Sequence, residues 1–167
     1  WRDVRIAPIY EGTNGIQAAD LVFRKLPLAG GQVFEKFVSE IGGLAEQLIE
    51  DDRHSSMGQA LLTGKEQLSE AGVWLGSRLA GQPNDAAAGS VPFMRLTGVI
   101  VGGYYLARSA QIAQQLLDSG EGDVDFLSDK IAVAKYYAEQ ILPTVAGLVP
   151  TITQGAQQFY AIPNDRL

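Results

Sequence analysis

The sequence contains no cysteine and a single histidine, His54. The first absence removes disulfides, thiolate nucleophiles and cysteine metal sites, and it suits a reducing, cytoplasmic setting. The second leaves little material for an imidazole-based site. His54 stands in the run Asp51-Asp52-Arg53-His54-Ser55-Ser56, without partner ligands close in sequence, and reads as a solvated loop residue. Long apolar runs are missing as well. The most apolar stretch, Val99 to Ala107, is too short to span a bilayer and carries Gly102 and Gly103, so no membrane span is expected. Positive charge is scarce: 13 Lys and Arg stand against 19 Asp and Glu, for a net charge of −6. That balance argues against nucleic acid and anionic membranes as partners, because both need clustered cations. No charged-then-apolar leader opens the chain, so no signal peptide is expected, and a start at Trp1 reads as a cut from a longer protein.

What is present is material for a folded core. Of 167 residues, 46% are hydrophobic and 19% charged, enough for one domain, or one domain with a short arm. Residues 1 to 26 alternate charged and apolar types and pass through Glu11-Gly12-Thr13-Asn14-Gly15, a turn-forming cluster. A short helix is predicted from Asn14 to Lys25, with Thr13 or Asn14 as cap and Gln17 as capping-box partner; Pro27 and Gly30-Gly31 end it.

Four longer helical stretches follow. From Gln32 to Asp51, Phe34, Phe37, Ile41, Leu44 and Leu48 recur at three-to-four spacing. Ser55 or Ser56 is the expected cap of the next, in which Leu61, Leu68, Ala71, Leu75 and Leu79 repeat the pattern before the break at Gly81 to Asn84. The third runs from Asp85 to Asp118 and is apolar nearly all round between Phe93 and Ala107, which predicts a central position. Gly98, Gly102 and Gly103 would let a neighbouring helix approach closely. The last runs from Val124 to Ala146 with Phe126, Ile131, Ala134, Ala138, Ile141 and Val145 inward, and Pro143 and Pro150 should bend or break its far end. Glu121, Asp123 and Asp125 lack the spacing of a calcium loop, and Asp123 or Asp125 reads as a helix cap. The pairs Tyr104-Tyr105 and Tyr136-Tyr137 read as core or interface. Strand signals are weak, and short connections favour antiparallel neighbours. The expected fold is all-α: an up-down four-helix bundle preceded by a short N-terminal arm and helix.

The run Arg2-Asp3-Val4-Arg5-Ile6-Ala7-Pro8-Ile9-Tyr10-Glu11-Gly12-Thr13-Asn14-Gly15-Ile16-Gln17 carries the chemistry. It resembles the catalytic-glutamate motif of the flavin-dependent acyl-CoA dehydrogenases, in which an Arg-Asp pair leads through Ile and Tyr to Glu-Gly-Thr and then Ile-Gln. From Gly30 onward the chain resembles the extra C-terminal helical domain of a subgroup that includes the 3-methylmercaptopropionyl-CoA dehydrogenases. That likeness rests on Ser90-Val91-Pro92-Phe93, Gly102-Gly103-Tyr104 and the run Asp125 to Pro143.

The resemblance implies that residues 1–29 end a catalytic region and that residues 30–167 form a C-terminal helical bundle domain. It implies FAD as cofactor, an acyl-CoA substrate, an electron-transfer acceptor and a homo-oligomeric enzyme. Glu11 would be the base that removes the α-proton of the acyl thioester, and its backbone N–H would help polarise the thioester carbonyl. Thr13, Asn14 and Gly15 would meet flavin phosphates at a helix N-terminus. The remaining flavin- and substrate-binding domains of that family have no counterpart in these residues, so the isolated chain is expected to be inactive and to hold little or no FAD. A reading from another class makes the bundle a non-catalytic scaffold or oligomerisation module; an exposed apolar patch on its surface would support it.

Overall fold

The computed structural model describes residues 13–166, and every regular element among them is helical. Helix α1, Asn14–Asp20, continues as a wider turn over Leu21–Lys25, where the Leu26 N–H donates to the Leu21 carbonyl five residues back at 2.8 Å. Asp20 binds both Arg24 and Lys25 across this widened turn. Pro27 ends the segment, and Ala29, Gly30 and Gly31 then take φ values of 52°, 69° and 92°. Glycine adopts that left-handed backbone freely, whereas Ala29 meets a steric cost of about 1 kcal/mol.

The long helices are α2 (Gln32–Ile49), α3 (Ser55–Arg78), α5 (Ser90–Ser119) and α6 (Val124–Tyr136), with a short α4 (Pro83–Ala88) between α3 and α5. Side-chain pairings fix their directions. Gly42 lies beside Lys65 and Gly72 beneath the Phe34 ring, so α2 and α3 are antiparallel. Gly64 faces Ile100 and Gly89 faces Leu75, which sets α5 against α3 in the opposite sense. A four-residue turn returns α6 along α5, where the Tyr137 hydroxyl passes over Gly102 to donate to the Val99 carbonyl at 3.0 Å. The expected all-α class is the one observed, and consecutive long helices run antiparallel.

The core follows from spacing. Ile41 and Leu48 on α2, Leu61, Leu68 and Leu75 on α3, and Phe93, Leu96 and Ile100 on α5 are all 0–1% exposed. Residues seven apart return to nearly the same face of a helix, so each helix turns one continuous stripe inward. Each buried side chain of this size contributes roughly 1.5–3 kcal/mol. Two long helices meet backbone to backbone at Gly58: a Cβ there would stand 2.7 Å from the Ala45 carbonyl oxygen and 2.8 Å from the Ile49 nitrogen. Backbone meets backbone at that point, so no side-chain adjustment could make room. Gly103 serves the same end against Leu142.

Helix ends are where the sequence-based expectations needed correction. Thr13 is the N-cap of α1, but its side chain caps nothing. Neither Ser55 nor Ser56 caps α3, which starts at Ser55 with His54 in the cap position. The third stretch is divided: α4 ends at Ala88, and α5 begins afresh at Ser90 with Pro92 in its first turn. Gly120, at φ 73°, closes α5, and the Glu121 N–H returns to the Leu116 carbonyl at 2.8 Å. Asp123 caps α6 as expected, its Oδ1 accepting from the Phe126 N–H at 2.9 Å. Phe126 itself is 58% exposed and not inward; Leu127, one position on, takes the core place. Leu127 stands four residues before Ile131 and seven before Ala134, so it continues their stripe, whereas Phe126 falls beside it.

Past Tyr136 the helix widens over Tyr137–Ile141 and tightens over Leu142–Gly147, where Pro143 has no N–H to continue the ladder. A last short helix, α7 (Leu148–Thr153), buries Val149 and Ile152. The tyrosine pairs are each split: Tyr104 is buried and Tyr105 exposed, Tyr137 is half-buried and Tyr136 exposed. Gly98 has nothing within 4 Å of the place its Cβ would occupy, so it admits no neighbour, unlike Gly102 and Gly103.

Candidate functional site

Glu11, with the rest of the run from Arg2 to Gly12, lies outside the described residues. Of the predicted site residues, Thr13, Asn14 and Gly15 are described, and the structure brings them together at the start of α1. The α-helical ladder begins with the Gln17 N–H donating to the Thr13 carbonyl at 2.8 Å. The N–H groups of Asn14, Gly15 and Ile16 therefore have no partner within the helix itself. All of these residues are exposed, and no acidic residue stands in the first turn. Nothing lies within 4 Å of the position a Gly15 Cβ would take. An anionic group such as a flavin phosphate fits such an end, because unpaired N–H groups and the helix dipole both favour negative charge. Ala18 and Val22, both fully buried, hold α1 to the bundle and so fix where that end points.

His54 departs from its expected place. It is 3% exposed rather than solvated, and neither ring nitrogen has a hydrogen-bond partner among the described residues. Beside it lies a polar cavity of about 220 Å³ lined by Gln47, Gln111, Gln114 and the ion-paired group Asp51, Arg53 and Asp118. Arg53 spans this group, with Nη2 2.7 Å from Asp51 Oδ2 and Nη1 3.0 Å from Asp118 Oδ1. Hydrogen bonds from Arg53 hold the Asp51 carboxyl well below its usual value, at about 2. The Arg53 guanidinium is raised in turn by Asp51 and then Asp118. Hydrogen bonds from Gln114 and then Arg53 lower Asp118. His54 shares this cavity with Gln111, Gln114 and Asp118 from the end of α5, a long-range meeting that the local polar run conceals.

Burial lowers the His54 pKa from 6.5; Asp51 and Asp118 pull it up and Arg53 and Lys135 push it down, all by less. The folded chain thus binds fewer protons than the unfolded one in this range. His54's contribution to stability is complete above pH 6.5 and is lost as pH falls below that value toward the lower folded pKa. Urea unfolding at pH 7.5 and 5.5, values of about one unit on either side of the free imidazole pKa, should show the chain weaker at the lower pH. His54→Phe should remove most of that difference. An equal pH dependence in the variant would assign it to the carboxylates instead.

A cavity of about 650 Å³ has no counterpart in the sequence reading. It is a trough along the outside of the α2–α3 pair, with Phe34, Val38, Gly72 and Gly76 among its walls and Lys65 at one end. No group of three or more His, Asp or Glu residues able to hold a metal occurs among the described residues. No helix there is long and apolar enough to cross a membrane.

Comparison with known proteins gives this arrangement a family. The model of the family described as "Acetyl-CoA dehydrogenase C-terminal like" matches residues 37–163. A 3-methylmercaptopropionyl-CoA dehydrogenase of Ruegeria pomeroyi is 42% identical over 149 residues, 85% of this chain and 24% of that protein. A broad-specificity linear acyl-CoA dehydrogenase of Mycobacterium tuberculosis is 29% identical over 150 residues, again 85% of this chain and 24% of the relative. A butyryl-CoA dehydrogenase of Syntrophomonas wolfei is 28% identical over 152 residues, 87% of this chain and 24% of its own length. The chain thus spans about a quarter of the length of these curated relatives. With a family model covering most of its helices, and a relative 42% identical over 85% of its length, the chain belongs to the acyl-CoA dehydrogenase family and corresponds to its C-terminal portion.

Proposed function

We propose that the intact protein is an FAD-dependent acyl-CoA dehydrogenase that removes hydrogen from the α and β carbons of an acyl-CoA thioester. Residues 1–29 would end its catalytic region, and residues 30–167 would form the appended bundle. The observation that carries this reading is the run Arg2 to Gln17, which leads directly into the exposed N-terminus of α1. Relatives over 85–87% of the chain bear the names of acyl-CoA dehydrogenases, which supports it.

The α-hydrogen of a thioester is weakly acidic, and a free glutamate, with a pKa of about 4.3, is a poor base for it. In the intact enzyme, burial of Glu11 in an apolar pocket would raise its pKa toward the working pH and make proton abstraction efficient. The Glu11 backbone N–H would donate to the thioester oxygen as negative charge builds there. Thr13, Asn14 and Gly15 would hold the cofactor through phosphate contacts at the start of α1. When bound, FAD supplies the acceptor for the β-hydrogen, which leaves as hydride. An electron-transfer acceptor then reoxidises the enzyme, which we place in the cytoplasm as a homo-oligomer.

The isolated chain would be inactive and free of flavin. Purified alone it should be colourless, whereas the intact protein should be yellow and should bleach with at least one member of a panel of acyl-CoA thioesters. Stoichiometric flavin on the isolated chain would overturn the first expectation, and an intact protein unbleached by every thioester would overturn the assignment. A second role, as scaffold or oligomerisation module, is compatible with the first. Val91, Tyr105 and Ile112 are 52%, 56% and 48% exposed, and their spacing puts them on one face of α5. That apolar stripe favours a docking role for the bundle.

A further inference from the structure

We propose that the trough between α2 and α3 binds an unbranched long-chain carboxylate, with its head at Lys65 and its tail along the Phe34 ring and Gly76. The proposal is independent of the role assigned to Glu11. Three observations carry it.

The first is shape. The cavity of about 650 Å³ is of the size that small-molecule sites occupy. Its wall on α3 runs from Lys65 through Ser69, Gly72 and Gly76 to Leu79. At the rise of an α-helix this is a channel of roughly 20 Å, long and narrow as an extended hydrocarbon chain is. Its floor is apolar, with Val38 and Leu26 buried in the core beneath. Gly72 is packed by the Phe34 ring, so the floor cannot fill from below, while nothing lies within 4 Å of the Cβ position at Gly76.

The second is charge. Lys65 is half-buried, its stem lying over Gly42, and it forms no ion pair among the described residues. A half-buried cation at one end of an apolar channel calls for one anionic head and not for a neutral or cationic one. Glu35 is the one acid lining the trough; it is exposed and stands near Gly72 along the hairpin, away from Lys65.

The third is the hydroxyl pattern. Thr63, Thr97 and Ser109 return their hydroxyls to carbonyls four residues back in their own helices. Ser39 and Ser69, which line the trough, make no hydrogen bond among the described residues and remain able to donate to a carboxylate held by Lys65.

Titration calorimetry of the 167-residue chain with dodecanoate tests this. One saturable site is expected, with a dissociation constant below about 1 mM. Lys65→Met should weaken dodecanoate by about tenfold, the value of one charged hydrogen bond, while leaving dodecanol unaffected. Gly76→Phe should fill the channel and abolish both, with helicity by circular dichroism unchanged. Val73→Phe, at a position 69% exposed on the same wall, gives an independent block should Gly76→Phe lose helicity. The proposal falls if dodecanoate does not saturate, if dodecyltrimethylammonium binds as tightly, or if neither the charge nor the blocking variants change the affinity. The first of these results would leave the trough as a seat for protein side chains.

Discussion

Glu11→Gln in the intact enzyme should keep FAD bound and slow thioester-dependent bleaching of the flavin by a factor on the order of 10²–10⁴. Glutamine reproduces the size and hydrogen bonding of the carboxylate but cannot take up a proton at neutral pH, so only the abstraction step is removed. Substrate affinity should change little, since the thioester carbonyl would still meet the backbone N–H of residue 11. Stopped-flow absorbance separates the two effects: an unchanged half-saturating concentration with a collapsed limiting rate identifies the base. Equal limiting rates in wild type and variant would move the base to another residue of the protein. Loss of flavin in the variant would show that Glu11 acts through folding of the site. The effect is expected of the intact enzyme, where burial would raise the pKa of this carboxylate.

The second large effect should come from Phe93→Ala. Phe93 is 1% exposed, is the largest fully buried side chain among the described residues, and packs its ring at 51° to that of Phe34 with centroids 6.3 Å apart. Truncation removes the transfer energy of the ring and leaves a cavity, at a cost of about 3–5 kcal/mol. A domain is stable by only about 5–15 kcal/mol, so the variant should lose a large part of its stability. Its thermal midpoint should fall by roughly 6–20 °C, at about 2–4 °C per kcal/mol for a chain of this length. The loss should also extend to the trough. Phe34 lines both the long cavity and a smaller apolar one that includes Phe93, so releasing it should loosen the floor over Gly72. A melt within about 2 °C of wild type would mean the site collapses freely and that α5 is held by its other contacts.

These expectations differ in how far each could be read before folding was considered. The four long helices were legible because a buried face requires apolar residues at a fixed period, and 61, 68 and 75 on α3 keep it without interruption. One end was legible because its chemistry is local: Asp123 opens α6, since a side-chain acceptor acts within one turn. Phe126 was misplaced because it stands one residue off the stripe of Ile131, Ala134 and Ala138, which extended back one turn reaches Leu127. The caps expected at Thr13, Ser55 and Ser56 fail for a different reason. Capping ability belongs to a residue type, whereas its use depends on backbone angles that neighbouring helices impose.

The sequence by itself determined the fold class, the helix directions and the family, because periodicity, short connections and the run around Glu11 are properties of neighbours along the chain. Tertiary structure alone decided the burial of His54, the ion-paired group around Arg53 and the trough with Lys65 at its end. Each of these joins groups far apart in sequence: Arg53 meets Asp118, and the trough takes one wall from α2 and the other from α3. Local propensity cannot encode such a meeting. It follows from how closely two helices approach, and here Gly58 sets that distance by letting α2 and α3 touch backbone to backbone.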